Sequence, residues 1–239
     1  YESKGFIYSF LHDSTKQTIP KPENYSESIY KNIENDFEMD LNDNVKKPHI
    51  IMIMGEAFSD ISESEMIDFE GYVDPLENYK ILSQSENSIS GNIIVSSFGG
   101  GTANTEFDVL TGCSSRFLNS ALSSYNFIVK DTPALPSMLK ACGYDTLAIH
   151  PSFGWFYNRQ NVYEYFGFDE FIDGDEFDLS TQHKAEYISE KYTIDKIIET
   201  FDKHVSESDN PLFSFTVTIQ NHGPYDNKYG AERNFNTSG

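Results

Sequence analysis

Cysteine is nearly absent from this chain. Cys113 and Cys142 are the only two in 239 residues, and their separation fits no metal-ligand spacing, which removes the zinc-ribbon and zinc-finger classes. Both are expected as buried thiols; a disulfide between them stays open but has no support in the spacing. Long apolar runs are missing too. Nothing approaches the ~18 apolar residues of a membrane-spanning helix, and no signal peptide is visible before the first strand. Cations are scarce, with 17 Lys and Arg against 38 Asp and Glu, a formal net charge of −21. Such a field disfavours nucleic acid or an anionic membrane surface as a direct partner. An anionic substrate would need a local cluster of metal, Arg and His to offset it. Bulky core material is plentiful, with 19 Phe and 15 Tyr, which argues against disorder.

The chain begins at Tyr1 rather than Met and is read as a fragment or processed piece. Residues 1–47 are polar, with weak helical patterning around Ile29, Ile33 and Phe37. They read as an entry arm, and residues 48–239 as one domain. His49–Met54 is a short continuous apolar run, typical of a strand buried on both faces. Asn92–Phe98, Thr146–His150 and Leu212–Gln220 look alike. Helical patterns lie between them. One starts with Thr132 as N-cap and Pro133 in the first turn and runs to Gly143. Another spans roughly 185–205, where Ile194, Ile197, Ile198, Phe201 and Val205 recur at helical spacing. The alternation predicts an α/β domain, a mostly parallel central sheet with helices on both faces. Ligands in such sheets bind beyond the carboxyl ends of the strands.

Four polar positions follow the four expected strands. Glu56 stands where the first gives way to a loop, the place for a metal-binding carboxylate or an ordinary capping acid. After the second come Gly99, Gly100, Gly101 and Thr102, then a helical stretch to Leu110 that stops at Gly112. Glycines permit close approach of a bulky ligand, and a hydroxyl at a helix N-terminus faces unpaired N–H groups that suit a phosphate. Plain N-capping by Thr102 is the simpler alternative. The lysine and spacing of a nucleotide P-loop are absent, as is the G-x-S-x-G of a nucleophile elbow. After the third strand come His150 and then Tyr157, Asn158 and Arg159; Arg159 suits a phosphate, or else a surface salt bridge. After the fourth, His222 precedes Gly223 and Pro224. The acidic run from Asp169 to Asp178 does not fit a calcium loop, because Phe171 occupies a ligand position; it reads as a solvated loop. Sequons at Asn24 and Asn236 carry no weight by themselves.

These residues also carry a resemblance. Ile51–Asp60, Gly99–Gly112, Thr132–Tyr144, His150–Arg159 and Gln220–Tyr225 resemble the extracellular catalytic domain of the lipoteichoic acid synthase family. These are phosphoglycerol transferases of the sulfatase and alkaline phosphatase superfamily. The strongest motif is Gly100-Gly101-Thr102-Ala103-Asn104-Thr105-Glu106-Phe107 followed by Leu110-Thr111-Gly112. The resemblance implies that Thr102 is the nucleophile and that Glu56 and Thr102 bind a divalent metal, usually Mn2+, with Mg2+ or Zn2+ as alternatives. It implies substrate contacts from Arg159, His222, Tyr157, Asn158 and His150. The reaction implied is transfer of glycerophosphate from phosphatidylglycerol to a glycolipid or teichoic acid hydroxyl through a phospho-threonine intermediate. The implied location is the extracytoplasmic face of the cell membrane, with anchoring through a preceding segment. The aromatic residue before Asn-Arg is Trp in typical members and Tyr157 here. Ser152 stands where they carry an acid.

The family completes its metal site with a Gly-Asp-His motif further along, which is not found before Gly239. The C-terminal part of the fold is therefore expected to be missing, with an open sheet edge. Two oxygen ligands fall short of the roughly six that hard cations take, so weak metal binding and little transferase activity are expected of this stretch alone. A phosphatase or phosphodiesterase of the same superfamily, and a non-catalytic cell-surface binding domain, are the alternatives.

Overall fold

The computed structural model describes residues 46–225 except 62–63, 72, 119–121 and 181, together with isolated positions near both ends. The expected helical patterning at Ile29, Ile33 and Phe37, and the sequon at Asn24, lie outside the described residues.

Four parallel strands form the central sheet: β1 (Ile50–Met54), β2 (Asp145–Ile149), β3 (Glu170–Ile172) and β4 (Leu212–Val217), in the order β1-β4-β2-β3. β4 is flanked on both sides, with Ile51 opposite Ser214 and Leu147 opposite the same residue. It is buried at every position, Ser214 and Thr216 included, in keeping with the largely apolar pattern of a strand covered on both faces. Helices α2 (Thr102–Thr111), α3 (Leu135–Ala141) and α4 (Arg159–Phe166) lie on one face. The core there joins Ala103, Phe107, Leu110, Val162, Phe166 and the β4 side chains Phe213, Phe215 and Val217. Helix α5 (Glu190–Glu207) covers the other face, where Ile197 packs with Leu147, Ile149, Ile172 and Leu212. A short helix α1 (Glu77–Ser83) precedes α2 and buries no residue. No helix among the described residues is long and apolar enough to cross a membrane.

Phe215 sits at the centre of this packing, with no exposure and ring contacts to Tyr163 and Phe168. Phe215→Ala is expected to cost about 3–5 kcal/mol through lost burial and the cavity left behind. Urea denaturation should show a lower midpoint with an unchanged slope.

Several expectations need correction. Residues 92–98 form no strand: Ile94 and Phe98 are fully exposed and Ile93 is 81% exposed. A short apolar run shows that a segment is suited to burial, not that a partner lies beside it, and no described strand pairs with this one. The acidic run is not simply a solvated loop. Glu170–Ile172 adds to β2 as an edge strand, pairing Leu147 with Glu170 and Ile149 with Ile172. Thr132 is not an N-cap; its hydroxyl donates to the Lys130 carbonyl. α3 starts later, after Ala134, whose N–H is taken up by the Ser137 hydroxyl. The long helix begins at Glu190, because residues 183–188 turn back in a two-stranded ribbon. Both cysteines are free, and Cys113 is exposed rather than buried. β1 is an edge of the sheet, and its residues Ile51 and Ile53 are 40% and 46% exposed.

Candidate active site

Because the strands are parallel, their carboxyl ends share one edge of the sheet, and the loops leaving β1 and β4 meet there. Glu56 follows β1 by two residues. Its backbone N–H donates to the Thr218 hydroxyl (3.1 Å), just beyond β4, and the Thr218 N–H donates to the Met54 carbonyl (3.0 Å). His222, on the same loop as Thr218, has Nε2 4.0 Å from Glu56 Oε1. The Tyr187 hydroxyl donates to the Gly223 carbonyl (3.1 Å) and lies 3.3 Å from His222 Nδ1.

Thr102 arrives from a different direction. Gly99, Gly100 and Gly101 take φ values of +70°, +138° and +77°, a run of conformations that L side chains avoid. The N-cap of α2 is Gly101, so Thr102 is the first helical residue and its hydroxyl is not used for capping. It donates instead to Glu56 Oε1 at 2.7 Å. The simpler reading of Thr102 as a cap is thereby removed. α2 ends on Gly112 in the left-handed region (φ +69°), as its position past the last apolar residue predicts.

Burial pushes the Glu56 carboxyl above its ordinary pKa, against the opposing pull of the Thr102 hydrogen bond and the His222 and Arg159 charges. Its second oxygen, Oε2, is buried and has no hydrogen-bond partner. A buried carboxylate oxygen left without a donor calls for a physical reason; beside a hydroxyl oxygen, it suits a hard divalent cation. Glu56 and Thr102 thus fit part of a coordination shell. No group of three or more His, Cys, Asp or Glu that could hold a metal occurs among the described residues. Ala57, directly after Glu56, has φ +53°, strain of about 1–3 kcal/mol that surrounding packing must offset.

Arg159 does begin its helix, but it is buried with 2% exposure. Its Nη2 and Nε donate to Glu106 Oε1 (2.5 Å) and Oε2 (3.2 Å). The Tyr163 and Tyr125 hydroxyls donate to the same Oε2 at 2.6 and 2.9 Å. Arg159 is therefore neither on the surface nor free of other partners, although its charge still reaches Glu56. Burial would raise the Glu106 carboxyl; the Arg159 charge and hydrogen bonds outweigh it and hold the pKa below its ordinary value. Tyr157 lies under the guanidinium, 5.3 Å from ring centroid to Cζ. Tyr157 and Asn158 have successive positive φ values of +57° and +59°.

His150 is turned inward, with 2% exposure and Nδ1 3.0 Å from the Val217 carbonyl. Burial, helped by the Arg159 charge, pushes its pKa from 6.5 down to about 4. The fold therefore favours the neutral ring, and between these values the unfolded chain binds more protons. His150's contribution is full above pH 6.5 and declines as pH falls toward 4. Between pH 7 and 5 the protein should lose about 2 kcal/mol more than a His150→Gln variant, measured as urea midpoints at each pH.

The expected group thus divides in two. Glu56, Thr102 and His222 come together, while Arg159 and His150 sit behind them in the protein. Glu106 and Tyr187 escaped sequence reading. Glu106 could have been found: it shares the α2 face of Ala103, Phe107 and Leu110, and a carboxylate at a core position needs a buried cation. Tyr187 carries no such mark.

Known proteins resemble this chain over most of its length. A protein of Rhizobium meliloti named "Putative cyclic beta-1,2-glucan modification protein" is 36% identical over 185 residues, 77% of this chain and 27% of that protein. A lipoteichoic acid synthase of Staphylococcus saprophyticus is 27% identical over 183 residues, 75% of this chain and 27% of that protein. The chain thus spans little more than a quarter of these relatives' length. Among solved structures, a lipoteichoic acid synthase from Listeria monocytogenes superposes with a TM-score of 0.65 at 17% identity, covering 90% of this chain and 48% of that one. A Streptococcus pyogenes phosphoglycerol transferase, in complex with sn-glycerol-1-phosphate, superposes with a TM-score of 0.60 at 24% identity, covering 88% and 57%. These likenesses establish an alkaline phosphatase and sulfatase-like fold of the lipoteichoic acid synthase kind. The sulfatase family model matches residues 48–239, from just before β1 past His222, so the strand-end site lies inside it and the chain belongs to the sulfatase family.

Proposed function

We propose that this chain carries the nucleophile half of a divalent-metal-dependent phosphotransferase, in which Thr102 takes glycerophosphate from a phosphatidylglycerol-type lipid and passes it to a sugar hydroxyl. One observation carries the reading: Thr102 Oγ1, free of capping duty at a helix N-terminus, donates to Glu56 Oε1 at 2.7 Å, while Glu56 Oε2 is buried without a partner. A Thr hydroxyl is a poor nucleophile until a base or metal activates it. A bound cation, with Mn2+ first among Mn2+, Mg2+ and Zn2+, would supply positive charge that favours the alkoxide, and Glu56 and Thr102 would hold it.

The chain's own groups do the rest. The Thr102 hydroxyl gives up its proton to solvent and its oxygen attacks phosphorus. The bond from phosphorus to the diacylglycerol oxygen breaks, and that oxygen takes up a proton from solvent as diacylglycerol leaves. The unpaired N–H groups in the first turn of α2 and the helix dipole favour the anionic group beside Thr102. His222, half-exposed next to Glu56, contacts the phosphate from the open side. Arg159, held by Glu106, adds positive charge from within, with Tyr157 beneath it and buried His150 beside it, while Asn158 faces the substrate from the exposed side. A hydroxyl then attacks the phospho-threonine and restores Thr102. In this reading the domain works at the extracytoplasmic face, anchored through another segment of the whole protein. Relatives named lipoteichoic acid synthase support glycerophosphate as the cargo, and the Rhizobium protein's name supports a glucan hydroxyl as the acceptor.

The test is release of diacylglycerol from labelled phosphatidylglycerol by the full-length protein with Mn2+, and transfer of the label to a glucan. Label appearing in neither Thr102 nor a glycan would overturn the reading.

A further inference from the structure

The loop between β2 and α4 presents aromatic rings to solvent that neither the core nor the Thr102 site uses. Phe153, Trp155 and Phe156 are 56%, 64% and 47% exposed. They are ordered against one another: Phe153 and Trp155 stack with centroids 5.4 Å apart and planes 24° apart, and Phe156 meets Trp155 edge-on at 5.8 Å. A ring stacked on one side and still 64% exposed keeps its other face open. The backbone beneath is held firmly. Gly174 N–H donates to the Ser152 carbonyl (2.8 Å), Gln160 N–H to Gly154 (3.1 Å), and Asn158 N–H to Trp155 (2.9 Å). A side chain at Gly154 would collide with the Asp173 carboxylate. The positive φ values of Tyr157 and Asn158 belong to the same loop, and strain of this kind concentrates at ligand-binding positions.

We propose that Phe153, Trp155 and Phe156 form a platform for the sugar ring of a neutral glycan, seating the acceptor for the Thr102 site. The inference rests on the transfer reading above for its role, though not for the binding itself. Two features favour a glycan over a lipid surface. The flanking exposed side chains include the amides Asn158, Gln160 and Asn161, which offer donors and acceptors without charge. The charged groups beside them, Asp173 against Gly154 and Glu164 on α4, are acidic. The loop's sole cation, Arg159, is buried on Glu106, so nothing there attracts anionic headgroups, and the −21 net charge opposes them. Open aromatic faces beside amides match the apolar C–H face and hydroxyl edge of a pyranose. The placement is also apt: β2 lies two strands from β1 in the sheet order, so its loop leaves the same edge about 10 Å from the Glu56 loop.

Trp155 is the only tryptophan in these 239 residues, and the part of the full-length protein's emission that disappears in a Trp155→Phe variant reports the platform. The full-length protein would be titrated with linear β-1,2-gluco-oligosaccharide, malto-oligosaccharide and, separately, phosphatidylglycerol vesicles. A saturable emission change with either glycan and none with vesicles is expected. Phe153→Ala should weaken glycan binding about tenfold while leaving the melting temperature within a few degrees. Trp155→Ala, followed by calorimetry, should weaken it at least as much, and Thr102→Ala should bind like the wild type. A blue shift with vesicles alone would overturn the proposal in favour of a lipid-facing surface, and no response to any probe would overturn it outright. Glycan binding without diacylglycerol release would leave the platform standing and remove the transfer reading; release without glycan binding would do the reverse.

Discussion

Thr102→Ala is expected to abolish diacylglycerol release, by at least about a thousandfold, with little effect on folding. The size follows from chemistry rather than packing: without the hydroxyl no covalent intermediate forms, and removing a nucleophile usually leaves only the modest acceleration that binding and electrostatics provide. The structural cost is small. The variant loses one hydrogen bond to Glu56, worth about 1 kcal/mol net, and alanine is well tolerated in the first turn of a helix. Radiolabel from phosphatidylglycerol should remain on the wild-type protein after denaturation and be missing from the variant. Thr102→Ser should keep part of the activity, since it keeps the oxygen. Equal release by wild type and Thr102→Ala would remove Thr102 from the mechanism.

Glu106→Ala should destabilise the fold as much as truncating Phe215 does, by about 3–5 kcal/mol, on the order of 10 °C in melting temperature for a chain of this size. The substitution leaves Arg159, with 2% exposure, as a buried cation without a counter-charge, and it takes the acceptor from two buried tyrosine hydroxyls. Glu106→Gln separates these contributions. It keeps an oxygen for the tyrosines but removes the charge, so its loss should be smaller than that of Glu106→Ala and still well above 1 kcal/mol. The wild-type pH response has a defined sign. The Glu106 pKa is depressed in the fold, so its contribution is full above its unfolded value and disappears as pH falls through the folded one. Thermal melts of the three proteins at neutral and acidic pH test both points. The gap between wild type and Glu106→Gln should narrow in acid. A gap that widens instead would mean that Arg159 finds another partner.

How far the sequence could be read depended on how much each element owes to its own residues. β1, β2 and β4 are legible from their largely apolar runs, and the alternation with helices predicts their parallel arrangement. The expected cover on both faces holds for β4 but fails for β1, whose Ile51 and Ile53 are exposed. The end of α2 at Gly112 and most of α5 are legible for similarly local reasons. β3 is not. Its three residues, Glu170–Ile172, lie in an acidic run and become a strand because the edge of β2 is available to them. The opposite error at residues 92–98 has the same root, since strand formation needs a neighbour that the segment itself does not specify. In the site, the contact between Thr102 and Glu56 was legible from glycines and strand-end carboxylates. The inward turn of Arg159 was not, because it depends on a carboxylate 53 positions earlier.

That carboxylate has a geometric consequence. Thr102 and Glu106 are i and i+4 on α2, one helical turn apart, and Glu106 grips Arg159, the first residue of α4, directly after the aromatic loop. A single side chain therefore works as a ruler. It sets the span between the atom that would accept phosphorus and the rings that would carry the incoming sugar, and small displacements of one end reach the other through a rigid link. Substitutions at Glu106 too mild to unfold the protein should therefore shift which hydroxyl along a glycan receives the phosphate.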